Sequence, residues 1–216
     1  MSIKAVIFDM DGTLHDSEII HRRGWYRAAE EMNITGIEED CVYCTGIGVV
    51  QAREYFERVH PDVDWEEFHS CAHKHINKII DEGGIPKRKG AVELLEYLEA
   101  NGIKMAVATS TPVSMARRDL ELSGLLKYFD VVIGGDMVQN GKPNPDIFLM
   151  AAELLGVLPA DCLGVEDSHN GIRALHAANI RAIFIPDLME DTDELKKLYS
   201  VKLNSLDETV SLIEKE

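Results

Sequence analysis

Short apolar runs alternate with helix patterns along most of this chain, and this alternation constrains its fold more than any other feature. The apolar runs lie at residues 3–8, 103–108, 131–133, 162–165 and 182–185, with helix patterns at 91–100, 113–122, 145–155 and 171–178. The first run is rich in β-branched residues, as expected of a strand that is buried on both faces. Strands that alternate with helices predict a parallel α/β sheet.

The stretch from residue 16 to residue 85 interrupts this alternation. It has helix patterns at 18–32, 49–59 and 65–80 and no convincing strand. We therefore predict two domains, an α/β core from residues 1–15 and 86–216 and a helical domain from residues 16–85. Ligands bind beyond the carboxyl ends of the strands in open α/β sheets, so an insertion that leaves the first strand there is expected to cover the site as a lid.

The composition narrows the range of partners. The 216 residues include 38 Asp and Glu against 22 Lys and Arg, which gives a formal net charge of −16. Such a surface repels a phosphate backbone, so no nucleic-acid partner is expected. No run approaches the roughly 20 apolar residues of a membrane span, and the first run is too short for a signal peptide. The cysteines fit reduced thiols, so we predict a cytoplasmic protein. The oligomeric state stays open, with a monomer favoured.

Acidic residues follow two of the predicted strands. Asp9 and Asp11 lie in Asp-Met-Asp-Gly-Thr after the first strand, and Glu166 and Asp167 follow the run at 162–165. Parallel strands end at one edge of a sheet, so these four carboxylates are expected to meet there and to shift one another's pKa values. Any one of them alone could be a helix cap or a solvated loop residue. Together they favour the binding of a divalent cation, and because all the ligands are oxygen atoms, we expect Mg²⁺.

Hydroxyl residues and a lysine are expected at the same edge of the sheet. Thr109, Ser110 and Thr111 follow the run at 103–108 and precede a proline. Proline favours the first position of a helix, so we predict that Thr111 caps a helix whose free N–H groups bind phosphate. Lys142 directly precedes the closely spaced prolines Pro143 and Pro145, which hold it rigidly, and there it could balance a phosphate dianion. These groups suggest phosphoryl transfer with a carboxylate nucleophile and a second carboxylate as acid–base.

In order and spacing, Asp9 to Thr13, Thr109, Lys142 and Glu166-Asp167 resemble the four motifs of the haloacid dehalogenase superfamily. The resemblance implies a Rossmann-like core with an inserted α-helical cap of type C1. It implies that Asp9 attacks phosphorus to form an aspartyl phosphate, and that Asp11 is the acid–base. Mg²⁺ would be held by Asp9, the Asp11 backbone carbonyl and Asp167, with Glu166 close by. Thr109 and Lys142 would hold the phosphoryl oxygens.

Within this superfamily the chain is similar to subfamily IA, the branch of β-phosphoglucomutase and sugar-phosphate phosphatases. The resemblance places substrate binding at Ser17, His21, Trp25, Gly46, Ile47, Ser110 and Thr111. His21 would link closure of the cap to Asp11, although an exposed helix histidine is the alternative. Trp25 is more typical of a cap core than of a ligand contact.

The cap loop departs from the mutase pattern, which reads Lys-Gly-x-Ser-Arg and grips the distal phosphate of the sugar. Residues 45–49 read Thr-Gly-Ile-Gly-Val, without either charge, and Arg53 could substitute for them. Each lost charge-assisted contact is worth roughly 1.5–3 kcal/mol. We therefore predict a Mg²⁺-dependent phosphatase that acts on a small phosphorylated metabolite. The alternatives are a β-phosphoglucomutase and a non-catalytic phosphate-binding regulatory protein on the same fold; a dehalogenase is disfavoured, because that branch does not require the second Asp or Mg²⁺.

The insertion also contains residue types that bind zinc. They are Cys41, Cys44, His69, Cys71, His73 and His75. His69 and His73 share one helix face, as do Cys41 and Cys44. We nevertheless expect buried cap cysteines and a solvated histidine face, because the cysteine pair lies in a predicted helix and far from His69.

Overall fold

A parallel sheet forms the centre of the larger unit of the computed structural model, which describes residues 3–44, 49–187, 189 and 191–215. Its strands in these residues are β1 (Ala5–Phe8), β2 (Lys104–Ala108), β3 (Val131–Ile133), β4 (Cys162–Glu166), β5 (Arg181–Phe184) and β6 (Val201–Lys202). They are ordered β3-β2-β1-β4-β5-β6, and each neighbouring pair is parallel. The chain thus starts in the middle of the sheet, fills one side and crosses over β1 to fill the other. The predicted α/β class is confirmed.

Helices cover both faces of this sheet. On one face lie α5 (Ala91–Ala100), α6 (Val113–Leu122) and α9 (Glu208–Ile213), and on the other lie α7 (Asp146–Leu155) and α8 (His169–Ala177). The side chains of β1 alternate between the two layers. Val6 and Phe8 pack in the first cluster, whereas Ala5 and Ile7 pack in the second. This arrangement explains why the strand reads as a continuous apolar run rather than an alternating one.

The chain divides into two compact units, Met1–Asp16 with Pro86–Glu216 and Ser17–Ile85. The first boundary predicted from the sequence lies one residue earlier. The smaller unit contains α1 (Ser17–Met32), α2 (Ile37–Cys44), α3 (Val49–Val59) and α4 (Trp65–Gly83). The helix α2 contains the cysteine pair that was expected in a helix, but its bounds were not predicted, because three acidic residues in its first turn obscure the apolar pattern.

An aromatic cluster forms the core of this helical unit. Trp25 makes edge contacts with Phe56, Trp65 and Phe68, at ring-centroid distances of 6.2, 6.1 and 5.1 Å. The helices α1 and α4 approach closely at Gly24, where a Cβ atom would lie 2.3 Å from the side chain of Ile76. A larger residue there would push the two helices apart.

Two short elements near the end of the described residues were not predicted from the sequence. The strand β6 has two residues and the helix α9 has six, and neither is long enough to show a period in the sequence. None of the helices in the described part of the chain combines the length and the apolar character needed to cross a bilayer.

Candidate active site

Three acidic side chains meet where β1 and β4 end. Phe8 pairs with Val165 across these strands, and the Asp9 amide donates to the Val165 carbonyl at 2.9 Å. Asp9, Glu166 and Asp167 each offer a carboxylate oxygen, and these oxygens lie within 4.8 Å of one another. The pair β1 and β4 is also where the chain crosses from one side of the sheet to the other, the position where open α/β sheets bind ligands.

Lys142 lies among these carboxylates. Its Nζ atom is 2.5 Å from Asp9 Oδ1 and 2.7 Å from Glu166 Oε1, and it also lies 4.9 Å from the centroid of the Phe148 ring. Only 6% of the Lys142 side chain is exposed. A buried ammonium group held by two carboxylates is fixed in place, and it provides a positive charge at the point where a phosphoryl group would meet Asp9.

The Glu166 side chain is held by residues that the sequence analysis did not single out. Its Oε2 atom accepts from the Ser168 amide at 2.7 Å and from the Ser168 hydroxyl at 2.9 Å. Ser168 is the N-cap of α8, where its hydroxyl oxygen accepts from the Gly171 amide at 3.0 Å. A Cβ atom on Gly171 would lie 1.6 Å from Glu166 Oε1, so only glycine leaves room for this carboxylate. In the sequence, the one local pattern that could have indicated these roles is a serine three residues before a glycine at the start of a helix, which is typical of a helix cap.

Asp167 is held in the same way by the loop after β1. The hydroxyl of Thr13 donates to Asp167 Oδ1 at 3.0 Å, and Thr13 is completely buried. A Cβ atom on Gly12 would lie 2.3 Å from Asp167 Oδ2, and Gly12 has a φ of +79°, which favours glycine. Gly12 and Thr13 therefore position a carboxylate that lies more than 150 residues further along the chain.

Burial and mutual repulsion shift the pKa values of this group. Burial raises the pKa of Asp9 to about 8 against the pull of Lys142, and the Glu166 and Asp11 carboxylates add to the rise. Burial also raises the pKa of Asp167 well above its usual range, and Glu166 and Asp9 reinforce the effect. Burial alone would lower the pKa of Lys142, but the charges of Asp9 and Glu166 raise it instead. A cation beside the carboxylates would favour their ionised forms.

The donor set fits a hard divalent cation. Asp9, Glu166 and Asp167 offer carboxylate oxygens only, and Lys142 balances the charge of one of the three. Oxygen ligands of this kind suit Mg²⁺ better than zinc or copper. The residues present are therefore those that could hold the cation of the metal-dependent phosphoryl-transfer chemistry expected from the sequence.

The hydroxyl residues after β2 have separate roles. Thr109 is buried, and its hydroxyl oxygen accepts from the Thr111 amide at 3.1 Å. The Thr111 hydroxyl donates to Asp11 Oδ2 at 2.8 Å, which joins the loop after β2 to the loop after β1. Ser110 is exposed. The structure thus brings Thr109, Thr111 and Asp11 to the same edge as the acidic group.

The prediction that Thr111 caps α6 is wrong. Pro112 occupies the N-cap position and makes no side-chain cap hydrogen bond. The Val113 amide donates instead to Asp136 Oδ1 at 2.8 Å, so the cap comes from the loop after β3. The Thr111 hydroxyl is not available to the helix because it donates to Asp11.

The substrate-binding residues predicted in the cap fall into three groups. Ser17 is buried and His21 is exposed, both on α1. Trp25 belongs to the aromatic core of the cap, the alternative considered for it in the sequence analysis. Gly46 and Ile47 lie outside the described residues. The roles of these residues in substrate binding stay predictions.

Arg53, considered as a substitute for the missing basic residues, is already paired. Its Nε atom lies 2.7 Å from Glu57 Oε1, and its Nη1 atom lies 2.7 Å from Glu66 Oε1. These two carboxylates neutralise the guanidinium group within the cap. Arg53 therefore offers less to a distant phosphate than a free arginine would.

The zinc-type residues of the cap lie in three separate places. Cys41 packs in the cap core, and burial raises the pKa of its thiol to about 12 and that of Cys44 to about 11. His69 stacks on Trp65, and its Nε2 atom lies 3.2 Å from the Nε2 atom of His73. Both histidines are half-buried, so the expected solvated face is wrong. Cys71 and His75 instead meet Glu31, a residue that the sequence analysis did not include.

Comparison with known proteins places this arrangement among phosphate-processing enzymes. Residues 3–179 match the family described as haloacid dehalogenase-like hydrolase. The chain is 35% identical over 185 residues to a phosphorylated carbohydrates phosphatase of Thermotoga maritima, covering 84% of each chain. It is 32% identical over 209 residues to hexitol phosphatase A of Escherichia coli, covering 96% of this chain and 94% of the relative. A crystal structure of a candidate beta-phosphoglucomutase from Thermotoga maritima matches with a TM-score of 0.84, 30% identity and 99% coverage of each chain.

Proposed function

We propose that this chain, which belongs to the haloacid dehalogenase-like hydrolase family, is a Mg²⁺-dependent phosphatase of small phosphomonoesters such as sugar phosphates. The observation that carries the proposal is the contact of Lys142 with both Asp9 and Glu166, beside Asp167, at the carboxyl edge of the sheet. This set combines a buried nucleophile, a fixed cation for phosphoryl oxygens and an oxygen-only ligand group. The relatives named as phosphatases support the same substrate class.

Asp9 is the proposed nucleophile. A carboxylate oxygen of Asp9 forms a bond to phosphorus while the bond from phosphorus to the ester oxygen breaks, and Asp11 gives its proton to that leaving oxygen. Asp11 then takes a proton from water, whose oxygen attacks the aspartyl phosphate and releases inorganic phosphate and Asp9. The hydroxyl of Thr111, which donates to Asp11 at 2.8 Å, holds this carboxyl group in place for both proton transfers.

The remaining residues of the site bind the phosphoryl group or hold other side chains in place. Lys142 neutralises phosphoryl oxygens, and the Thr109 hydroxyl at the end of β2 lies at the same edge. Asp9, Glu166 and Asp167 would hold Mg²⁺. When bound, this cation stabilises negative charge on the transferred phosphoryl group and lets Asp9 stay ionised beside its acidic neighbours. Ser168 and Thr13 keep Glu166 and Asp167 aimed at the ligand site.

A phosphoglucomutase is the second candidate, because the chain shares its fold with a candidate beta-phosphoglucomutase. A mutase must hold a sugar whose second phosphate contacts the protein, and the sequence at 45–49 supplies neither basic residue for this. Arg53 is bound to Glu57 and Glu66. Water is therefore the proposed acceptor. A phosphate-binding regulatory protein would not need an Asp9 and Asp11 pair with Lys142.

The decisive experiment measures phosphate release from a panel of sugar phosphates with Mg²⁺, beside Asp9→Asn. The asparagine keeps the size of the side chain and removes the attacking charge, so turnover should vanish in a folded protein. Asp193→Asn, at an acidic residue whose side chain is 96% exposed, is the matched control and should keep full activity. Turnover that persists in purified Asp9→Asn would refute the covalent mechanism.

Phosphorus NMR of β-glucose 1-phosphate separates the two candidates. Glucose and inorganic phosphate are the products expected of the phosphatase. Glucose 6-phosphate as the dominant product, dependent on catalytic amounts of the 1,6-bisphosphate, would establish the mutase instead. None of the four cysteines, all of which the structure describes, forms a disulfide bond, and this supports the further proposal of a cytoplasmic location.

A further inference from the structure

Three different metal-binding side chains meet within the cap, between α1 and α4. Glu31 lies in the last turn of α1, and Cys71 and His75 lie one turn apart on the same face of α4. The carboxylate, thiol and imidazole ligand atoms lie within 4.8 Å of one another, and His75 Nε2 is 2.9 Å from Glu31 Oε2. Both the backbone spacing and the side-chain directions therefore bring the three donors to one point.

These distances are close to those of a tetrahedral metal centre. Zinc bonds of about 2.0–2.3 Å place neighbouring ligand atoms roughly 3.3–3.8 Å apart. His75 Nε2 lies 2.9 Å from Glu31 Oε2, and the Cys71 sulfur lies within 4.8 Å of a ligand atom of each of these residues, so small movements bring the three donors to this spacing. Glu31 is 51% exposed, so its carboxylate has the freedom to make the small adjustment, whereas the His75 side chain is only 17% exposed and keeps its direction.

An ordinary surface ion pair does not account for the whole group. His75 with Glu31, and Lys74 with Glu31 at 3.6 Å, would be such a pair. A thiol adds little to an ion pair, since it is a weak donor and a weak acceptor. As a thiolate it is a strong ligand for borderline metals, and it gives the group the sulfur, nitrogen and oxygen donors that select those metals over Mg²⁺.

We propose that Glu31, Cys71 and His75 form a site for a borderline divalent transition metal, Zn²⁺ in the first place, with water in the fourth position. The metal links α1 to α4 and stabilises the helical cap. The site is independent of the proposed phosphatase reaction, because its donors differ in hardness from the oxygen-only group at Asp9 and belong to a different unit of the chain.

The histidine pair on α4 is a rival for the metal. His69 and His73 are also one turn apart on α4, with Nε2 atoms 3.2 Å apart. They are offset by two residues from Cys71 and His75, which turns them to roughly the opposite face of the helix. The two groups can therefore be tested separately by substitution.

The test uses the full chain with excess Mg²⁺, which competes for the oxygen-only ligands. Co²⁺ is added first, because a thiolate bound to Co²⁺ produces a charge-transfer absorption that carboxylates and imidazoles do not. Zn²⁺ is then titrated against a chromophoric chelator, and the melting temperature is measured with and without Zn²⁺. We expect the thiolate band, one tightly bound Zn²⁺ per chain and a higher melting temperature.

The variants decide which residues bind. Cys71→Ser should abolish the thiolate band. His75→Asn and the milder surface change Glu31→Gln should each weaken Zn²⁺ binding by at least about 10-fold, because changing even a residue that only supports a metal ligand typically costs about 10–100-fold. Cys44→Ser and His73→Asn are the matched controls within the same cap and should leave the band, the affinity and the thermal shift unchanged.

Two results would overturn the proposal. One is a wild-type protein that shows neither the thiolate band nor a thermal response to Zn²⁺. The other is a response that survives in folded Cys71→Ser, or that disappears in His73→Asn, which would assign the metal to the histidine pair. Circular dichroism of each variant establishes that the helices are intact, and Glu31→Gln keeps the test open if a change on α4 disturbs folding.

Discussion

Gly171→Ala tests whether the carboxylate of Glu166 must stay where the structure places it. The added methyl group would lie 1.6 Å from Glu166 Oε1 and 1.8 Å from Cδ of the same side chain. Carbon atoms in contact prefer separations of about 3.5–4.0 Å, so the carboxylate must move by at least about 1 Å. That movement breaks the 2.7 Å contacts of Glu166 with Lys142 and with the Ser168 amide.

The two effects of this substitution differ in size. Overpacking a buried site costs about 1–3 kcal/mol, while alanine in place of glycine within a helix returns up to about 1 kcal/mol. The free energy of unfolding should therefore fall by no more than about 2 kcal/mol, which a folded domain tolerates. A misplacement of about 1 Å near reacting groups costs about 100-fold in rate. We expect a folded enzyme with about 1% of the wild-type kcat/KM.

The assay compares phosphate release with urea unfolding in the same preparation. Gly83→Ala is the matched control, because Gly83, like Gly171, lies in a terminal turn of a helix without a positive φ, but has nothing within 4 Å of an added Cβ atom. It should keep full activity and gain stability. A Gly171→Ala protein with nearly wild-type kcat/KM would refute the argument that Glu166 positions Lys142 for the reaction.

Three further predictions concern stability. Lys142→Met leaves Asp9 and Glu166 without their buried partner, so in EDTA the free energy of unfolding in urea should fall by about 3–5 kcal/mol; an unchanged value would contradict the ion-pair geometry. Mg²⁺ at about 100 times its dissociation constant should raise the free energy of unfolding by about 2.7 kcal/mol in a thermal assay, and Asp167→Asn should reduce this gain. Burial lowers the pKa of His15 from 6.5 to about 4, so the unfolded chain takes up a proton first as the pH falls from 6.5 to 4. The free energy of unfolding should therefore fall by about 1.4 kcal/mol per pH unit between pH 6.5 and 4. In His15→Leu, the free energy of unfolding should depend less on pH than in the wild type.

Periodicity was enough to predict the sheet and most helices. The helices α5 and α6 begin and end at the predicted residues, 91–100 and 113–122, because their apolar residues face one layer of the core. The acidic group at Asp9 could also be predicted, since parallel strands end at one edge. These inferences need only local patterns and the rule that strands in such a sheet are parallel.

Contacts between distant parts of the chain could not be predicted in the same way. The partner of the Thr111 hydroxyl is Asp11, which lies 100 residues earlier, and no local rule favours that contact over a helix cap. Gly171 is similar: its importance comes from the direction of the Glu166 side chain, which becomes defined only when β4 and α8 pack together. Sequence spacing placed the proposed reacting groups at one edge of the sheet, but it did not predict the residues that hold them.

The two candidate metal groups differ in chemistry because of where their donors arise. The ends of β1 and β4 bring together three carboxylates, those of Asp9, Glu166 and Asp167, and such oxygen ligands favour a hard cation such as Mg²⁺. A helix face delivers residues one turn apart, and on α4 these are Cys71 and His75, which favour a borderline metal held tightly. The sequence alone showed cysteines and histidines that could bind zinc, but not which of them meet. Glu31, the donor that completes the set, lies on another helix. Fold geometry therefore separates the cation proposed for the reaction from the one proposed to join two helices.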